Sequence, residues 1–114
     1  MFKKILIIGL GILLYACNIA EIKNGYPAIN TIENGKSFCI ILPEDHTKGY
    51  NWQLKPDYTK NMVEHVNEVW HGNEKGIYFN FKAVAAGQTT LTFICRKYTD
   101  TLDVKRFVVK ISDI

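Results

Sequence analysis

The sequence predicts a single all-β domain, an immunoglobulin-like β-sandwich of about seven strands. The clearest support comes from residues 77–83, where every second residue from Ile77 to Ala83 is apolar and the residues between them are more polar. Residues 88–95 alternate in the same way, which is the period of a strand with one buried face. Glycine and proline turns separate these short runs from their neighbours, and 114 residues allow one domain.

The first 17 residues are predicted to be an export signal outside the fold. Lys3 and Lys4 give it a positive start, and the apolar run from Ile5 to Leu14 is shorter than the ~20 residues that span a membrane. The run ends in Leu14-Tyr15-Ala16-Cys17, which resembles a bacterial lipobox and implies lipid attachment at Cys17. An ordinary secretion signal, in which Cys17 is incidental, is the alternative. We therefore expect an exported lipoprotein of the cell envelope, held at a membrane by its lipid.

A tether is predicted between this signal and the domain. The tether is predicted to cover residues 18–30, because residues 18–28 are polar, are short of periodicity and contain the breakers Gly25 and Pro27. Asn18 is not the aspartate that typically retains such lipoproteins in the inner membrane. In a Gram-negative cell, this favours an outer-membrane or periplasm-facing location. The folded domain is then expected to comprise residues 31–114.

Strands are predicted where apolar residues alternate or cluster between turn signals. They cover 36–42, 50–54, 62–70, 77–83, 88–95 and a last strand that includes 107–111. Within 62–70, however, Val63, Val66 and Trp70 also fit a helical period, so a helix is the alternative there. Three polar loops are predicted between the strands, the first loop at 43–49, the second loop at 71–76 and the third loop at 96–101.

The cysteines Cys39 and Cys95 are predicted to remain free thiols. Cys39 alternates with Phe38 and Ile40 and so points away from the core, whereas Cys95 is in phase with the apolar residue Phe93. Opposed faces hinder a disulfide, because Cα atoms more than about 7 Å apart cannot be bridged. A bridge is the alternative, since an exported chain can be oxidised.

Charge and motif spacing indicate a protein that is not an enzyme. Without Lys3 and Lys4 the chain has 12 basic residues against 11 acidic ones, a balance that gives no support for nucleic-acid binding. His46, His65 and His71 are scattered without metal-ligand spacing. The sequence also lacks a Cys-x-x-Cys pair and a glycine-rich phosphate loop. We expect neither a metal nor a cofactor.

The segment Asp45-His46-Thr47-Lys48-Gly49-Tyr50-Asn51-Trp52 carries the most specific signal. It resembles the Asn-Pro-Thr-Thr-Gly-Tyr-x-Trp signature of the chagasin-like inhibitors of papain-type cysteine peptidases. Thr47, Gly49, Tyr50 and Trp52 match this signature, while Asp45, His46 and Lys48 depart from it. The glycine permits a positive φ, so the loop can turn tightly and present its tip.

A second stretch follows the order of elements in the same family. Its members have a glycine-rich loop, an aromatic strand ending in Phe-x-Lys-Ala or similar, an Ala-Gly turn and a Thr-x-Leu strand. This chain has Gly72 and Gly76 in the loop, then Phe79–Ala83, Ala86-Gly87 and Thr89–Phe93. Other residues replace the interior of the glycine-rich loop, so only its outer glycines are retained.

The third stretch is Arg96-Lys97-Tyr98, which is similar to the Arg-Pro-Trp or Arg-Pro-Phe of the family. Lys97 replaces the proline, and an ungapped alignment would instead put Lys97 at the arginine position. The whole resemblance covers roughly residues 31–114, and the order of three loops among the strands makes it more specific than one motif.

The resemblance implies an inhibitor that enters the active-site cleft of a papain-like cysteine peptidase with three loops. The residues that it implies as peptidase-binding are Thr47, Lys48, Gly49, Tyr50, Gly72, Gly76, Arg96, Lys97 and Tyr98. Ordinary surface roles for Thr47, Lys48 and Arg96 are alternatives. For the whole protein, the alternative is an immunoglobulin-like envelope lipoprotein with an adhesive or assembly role.

Overall fold

The computed structural model describes residues 19–113, and within them the fold consists of two four-stranded sheets. In chain order the strands are β1 (Ala20–Glu21), β2 (Ile29–Glu33), β3 (Ser37–Leu42), β4 (Asn51–Leu54), β5 (Val63–Trp70), β6 (Ile77–Ala83), β7 (Gly87–Lys97) and β8 (Asp100–Ser112). The front sheet has the order β1-β3-β6-β5 and the back sheet the order β2-β8-β7-β4. The predicted all-β sandwich is confirmed, with eight strands in the described residues.

The core lies between the sheets and is made by the alternation seen in the sequence. The residues of β6 that share a face with Phe79 are buried, and its antiparallel partner β3 buries Phe38, Ile40 and Leu42 on the same side. Phe93 of β7 joins the two layers, because its ring centroid lies 4.8 Å from that of Phe79. Burial of these aromatic rings supplies most of the driving force for such a sandwich.

The ambiguous segment 62–70 is a strand, as predicted. Val63–Trp70 pairs antiparallel with β6, and the register shifts by a bulge between His65 and Asn67. The extra residue, Val66, is 52% exposed, whereas Val63 is buried. A bulge interrupts the two-residue period. It therefore explains why this strand lacks clean alternation in the sequence.

Part of the segment expected to be a tether packs onto the sandwich. Ala20–Glu21 pairs parallel with β3, and the next residue, Ile22, is only 4% exposed within the core. Ile29–Glu33 pairs parallel with β8 and begins two residues before the predicted domain boundary. Short parallel strands of this kind form because a partner strand far away in the sequence is available, so a local sequence pattern does not predict them. The predicted signal segment and Cys17 lie outside the described residues.

Cys39 and Cys95 are both buried and free. Cys95 belongs to the hydrophobic core, whereas Cys39 lies on the other side of its strand, opposite Glu21 of β1. Burial raises the pKa of both thiols above the ordinary value. A thiol that stays protonated is a poor nucleophile, which is consistent with structural roles. Between residues 19 and 113, no helix is long and apolar enough to cross a membrane.

Candidate functional site

The three loops lie together at one end of the sandwich because of how their strands pair. Leu42, which precedes the first loop, pairs with Ile77, which follows the second loop. Trp70, which precedes the second loop, pairs with the same residue, Ile77. In the back sheet, Asn51 at the start of β4 pairs with Arg96 at the end of β7. The strand ends therefore bring all three predicted loops to a common edge.

The first loop forms a short 3-10 turn, His46–Lys48, that is closed at both ends. Asp45 caps its start, because one carboxylate oxygen accepts hydrogen bonds from the backbone N–H of Thr47 at 2.9 Å and from its hydroxyl at 2.6 Å. The hydroxyl bond lowers the pKa of the Asp45 carboxyl below its ordinary value. Gly49 ends the turn with φ 77°, in the left-handed region. Asp45 departs from the family signature and still caps the turn.

The tip of the first loop is accessible, whereas the residues that follow it hold it to the core. Thr47, Lys48 and Gly49 are exposed, but Tyr50 is half-buried and packs against the hydrophobic core. Trp52 is 5% exposed, and its indole N–H donates to the carbonyl of Pro43 at 2.8 Å. This bond ties the start of the loop to β4.

A buried carboxylate lies beneath the first loop, and sequence reasoning did not find it. Glu44 is 3% exposed. One carboxylate oxygen accepts the backbone N–H of Trp52 at 2.7 Å, and the other lies 2.7 Å from His46 Nε2. The Glu44 carbonyl accepts the indole N–H of Trp70 at 3.0 Å. The only signal in the sequence was an acidic residue directly after Pro43, a pattern that is common in solvated turns.

The second loop depends on its two glycines for its shape. The backbone N–H of Gly76 donates to the carbonyl of Gly72 at 2.9 Å, and the two residues have φ values of 85° and 101°. Gly76 is buried, and a Cβ atom there would collide with the carbonyl oxygen of Leu42. Asn73, one of the replaced interior residues, accepts a hydrogen bond at 2.9 Å from the backbone N–H of His46. The first two loops are therefore directly linked.

The third loop differs from its prediction. Arg96 and Lys97 continue β7, and β8 begins at Asp100, so only Tyr98 and Thr99 form the turn. The expectation of a polar loop over 96–101 is wrong, because Lys97 pairs with Asp100 and extends the ladder. Tyr98 has φ 56°, an unusual value for a bulky residue, and is 89% exposed. The hairpin reaches the first loop, since a Cβ on Gly49 would lie 3.7 Å from the Lys97 Cε.

The loop end, where the three loops meet, exposes the tip of the first loop and the Tyr98 ring. Among residues 19–113 there is no group of three His, Cys, Asp or Glu side chains that could hold a metal ion. A groove of about 410 Å³ lies elsewhere, lined among others by Lys23, Tyr26 and Arg106. An exposed edge built from three neighbouring loops is suited to contacting another protein.

Comparison with known proteins identifies the family. The chagasin family of peptidase inhibitors, I42, matches residues 31–111. The fold resembles the crystal structure of the cysteine protease inhibitor EhICP2 from Entamoeba histolytica, with 19% identity, a TM-score of 0.66, and coverage of 82% of this chain and 93% of that one. It also resembles the solution structure of amebosin, with 17% identity, a TM-score of 0.55, and coverage of 82% and 98%. No curated sequence matched significantly. The chain belongs to the chagasin family of peptidase inhibitors, and it is an inhibitor rather than an enzyme.

Proposed function

We propose that the three loops together enter the active-site cleft of a papain-like cysteine peptidase and block it reversibly. The observation that carries this proposal is the place of the exposed tip, Thr47 to Gly49. It follows His46, which bonds to the second loop, and Gly49 lies beside Lys97 of the β7–β8 hairpin. The tip would cover the catalytic cysteine and histidine of the peptidase. The second loop, with Gly72 and Gly76, would contact one wall of the cleft.

The hairpin would contact the other wall. Arg96 and Lys97 supply positive charge, and Tyr98 supplies a large exposed ring of the kind that dominates interface energies. Tyr50 would act indirectly, because it is half-buried beneath the tip. A loop already fixed in its binding shape loses little conformational entropy on docking, which is a general route to nanomolar affinity of about −12 kcal/mol.

The test is inhibition of papain by the mature chain carrying Cys17→Ala, with and without Gly49→Val. A β-branched residue tolerates φ 77° poorly, so we expect a distorted tip and inhibition at least about tenfold weaker. Gly35→Val is the matched control. Gly35 has φ 89°, and its N–H donates to Ala83 at the opposite end of the sandwich. Gly35→Val should lower the free energy of unfolding about as much as Gly49→Val, but it should leave inhibition unchanged at equal folded concentration.

Two results would contradict the proposal. Equal inhibition by the wild type and Gly49→Val would show that the tip does not enter the cleft. Failure of the wild type to inhibit papain at micromolar excess would favour the alternative of an adhesive or assembly role in the envelope. Trypsin serves as the specificity control, because the loops should not inhibit a serine peptidase.

We also propose that Cys17 carries a lipid and holds the inhibitor at the cell envelope. The positive start and the Leu14-Tyr15-Ala16-Cys17 motif support this. Ala20 pairs with Phe38 near the start of β3, whereas the first loop follows the end of that strand. A lipid at Cys17 would therefore leave the loops pointing away from the membrane. Labelling with a clickable fatty acid should mark the wild type but not Cys17→Ala, and equal labelling of both would refute the proposal.

A further inference from the structure

His46 connects three parts of the loop end. Its Nε2 atom lies 2.7 Å from a carboxylate oxygen of Glu44. Its ring stacks on the indole of Trp70, with centroids 3.9 Å apart and planes inclined by 12°. Its backbone N–H donates to the Asn73 side chain of the second loop at 2.9 Å. His46 occupies the position where the family signature has proline, so these contacts are additional to the recognised motif.

The contact between His46 and Glu44 stabilises the first loop, because the Glu44 carboxylate is buried and needs hydrogen-bond partners. The Glu44 side chain is 4% exposed, and its first oxygen is already occupied by the backbone N–H of Trp52. A buried carboxylate needs a partner for each oxygen, and unpaired burial is costly. Within the described part of the chain, His46 is the side chain that contacts the second oxygen of Glu44, at 2.7 Å. The His46 ring therefore bonds to the base of the first loop.

The other charges around His46 are few. On the first loop, the Asp45 carboxyl precedes His46, and Lys48 lies two residues after His46. The second loop adds Glu74 and Lys75, which are exposed and of opposite sign. The Trp70 ring on β5 is uncharged. Glu44 is the charged group in direct contact with the His46 ring.

We propose that His46 is a positioning residue that makes inhibition stronger as the pH falls. This rests on the proposed insertion of the first loop into a peptidase cleft. Protonation turns the bond to Glu44 into a charge-assisted one and places a cation over the Trp70 ring. Histidine side chains change charge between about pH 5 and pH 8. The first loop is then held most firmly to β5 at the acidic end of that range.

The experiment compares the mature Cys17→Ala chain with the same chain carrying His46→Gln. Glutamine can still donate to Glu44 but cannot become charged. Inhibition of papain is measured from pH 5 to pH 8, and the inhibition constant of His46→Gln is divided by that of wild type, which cancels the titration of papain. We expect this ratio to rise about three- to tenfold from pH 8 to pH 5. His65→Gln is the matched control, because His65 lies on β5 outside the three loops, beside Phe79 and Phe81.

A second measurement needs no peptidase. A protonated imidazole stacked on an indole quenches its fluorescence, so the wild type should lose tryptophan emission on acidification. His46→Gln and Trp70→Phe should each abolish that loss. The inference is wrong if wild type and His46→Gln inhibit with the same pH dependence. It is also wrong if His46→Gln loses as much tryptophan emission on acidification as wild type does. In both cases the proposed function stands. If neither chain inhibits papain, the proposed function fails and the fluorescence titration alone decides the role of His46.

Discussion

The first loop and the β7–β8 hairpin lie side by side, yet they keep their shapes in different ways. The first loop has an internal cap at Asp45, a buried carboxylate at Glu44 and a stacked His46 above Trp70. The tip of the hairpin is held by backbone pairing, and its Tyr98 ring is almost fully exposed. The first loop should therefore lose function when its shape is disturbed. The hairpin should lose function when its contact surface is removed.

The largest effect should come from Gly76, which lies against Leu42 at the base of the first loop. Gly76→Ala forces a Cβ into the carbonyl of Leu42 at φ 85°, so we expect the free energy of unfolding to fall by about 2–4 kcal/mol. Gly72→Ala is the control, since its φ is 101° but no atom lies within 4 Å of the new Cβ. Gly72→Ala should lower the free energy of unfolding by about 1 kcal/mol. Urea unfolding measures both, and equal losses would show that packing against Leu42 is unimportant.

An intermediate effect is expected at the hairpin tip, on binding alone. Tyr98→Ala should weaken papain inhibition by roughly 1–2 kcal/mol if the ring is an interface contact, and Tyr98→Phe should retain most of the affinity. Neither change should alter the urea midpoint appreciably, because the ring is 89% exposed. If Tyr98→Ala lowered the free energy of unfolding as much as it weakens binding, the hairpin would depend on its shape in the same way as the first loop.

The smallest effect should come from the cap of the first loop. The hydroxyl bond from Thr47 lowers the pKa of Asp45 in the folded state, so the ionised carboxylate stabilises the fold above the ordinary aspartate value of about 3.9. This contribution is lost as the pH falls below that value. Wild type should therefore be slightly more stable than Asp45→Asn at pH 7, and the difference should shrink as the pH falls below about 3.9. A difference that does not change with pH would mean that the charge of Asp45 is not its source.

Local patterning predicted the strands that have one buried face. Ile77–Ala83 was predicted with the bounds observed, because apolar side chains at every second position fit only one register against a core. The glycine turns of the first and second loops were also predictable. Gly49 and Gly76 both adopt positive φ, a conformation in which glycine is the usual residue.

The features that the sequence did not reveal depend on distant partners. Glu44 is charged and lies beside a proline, so nothing local indicates that Trp52 and His46 would bury it. The hairpin was predicted as a loop because its residues are polar and its turn lacks glycine, with Tyr98 adopting the positive φ instead. Ile22 lies in a stretch without strand periodicity, and only its packing in the folded chain makes it part of the core.

The pairing of β2 with β8 has a consequence for the timing of folding. Asn30 donates to the carbonyl of Val108, a residue 78 positions later, and β8 also lies between β2 and β7 in the back sheet. Contacts between residues so far apart in the sequence form slowly, because the chain must lose the conformational entropy of a long segment before the contact can stabilise it. The back sheet therefore cannot be completed while the last strand is still missing. During synthesis, the domain can therefore reach its final state only after β8 has left the ribosome.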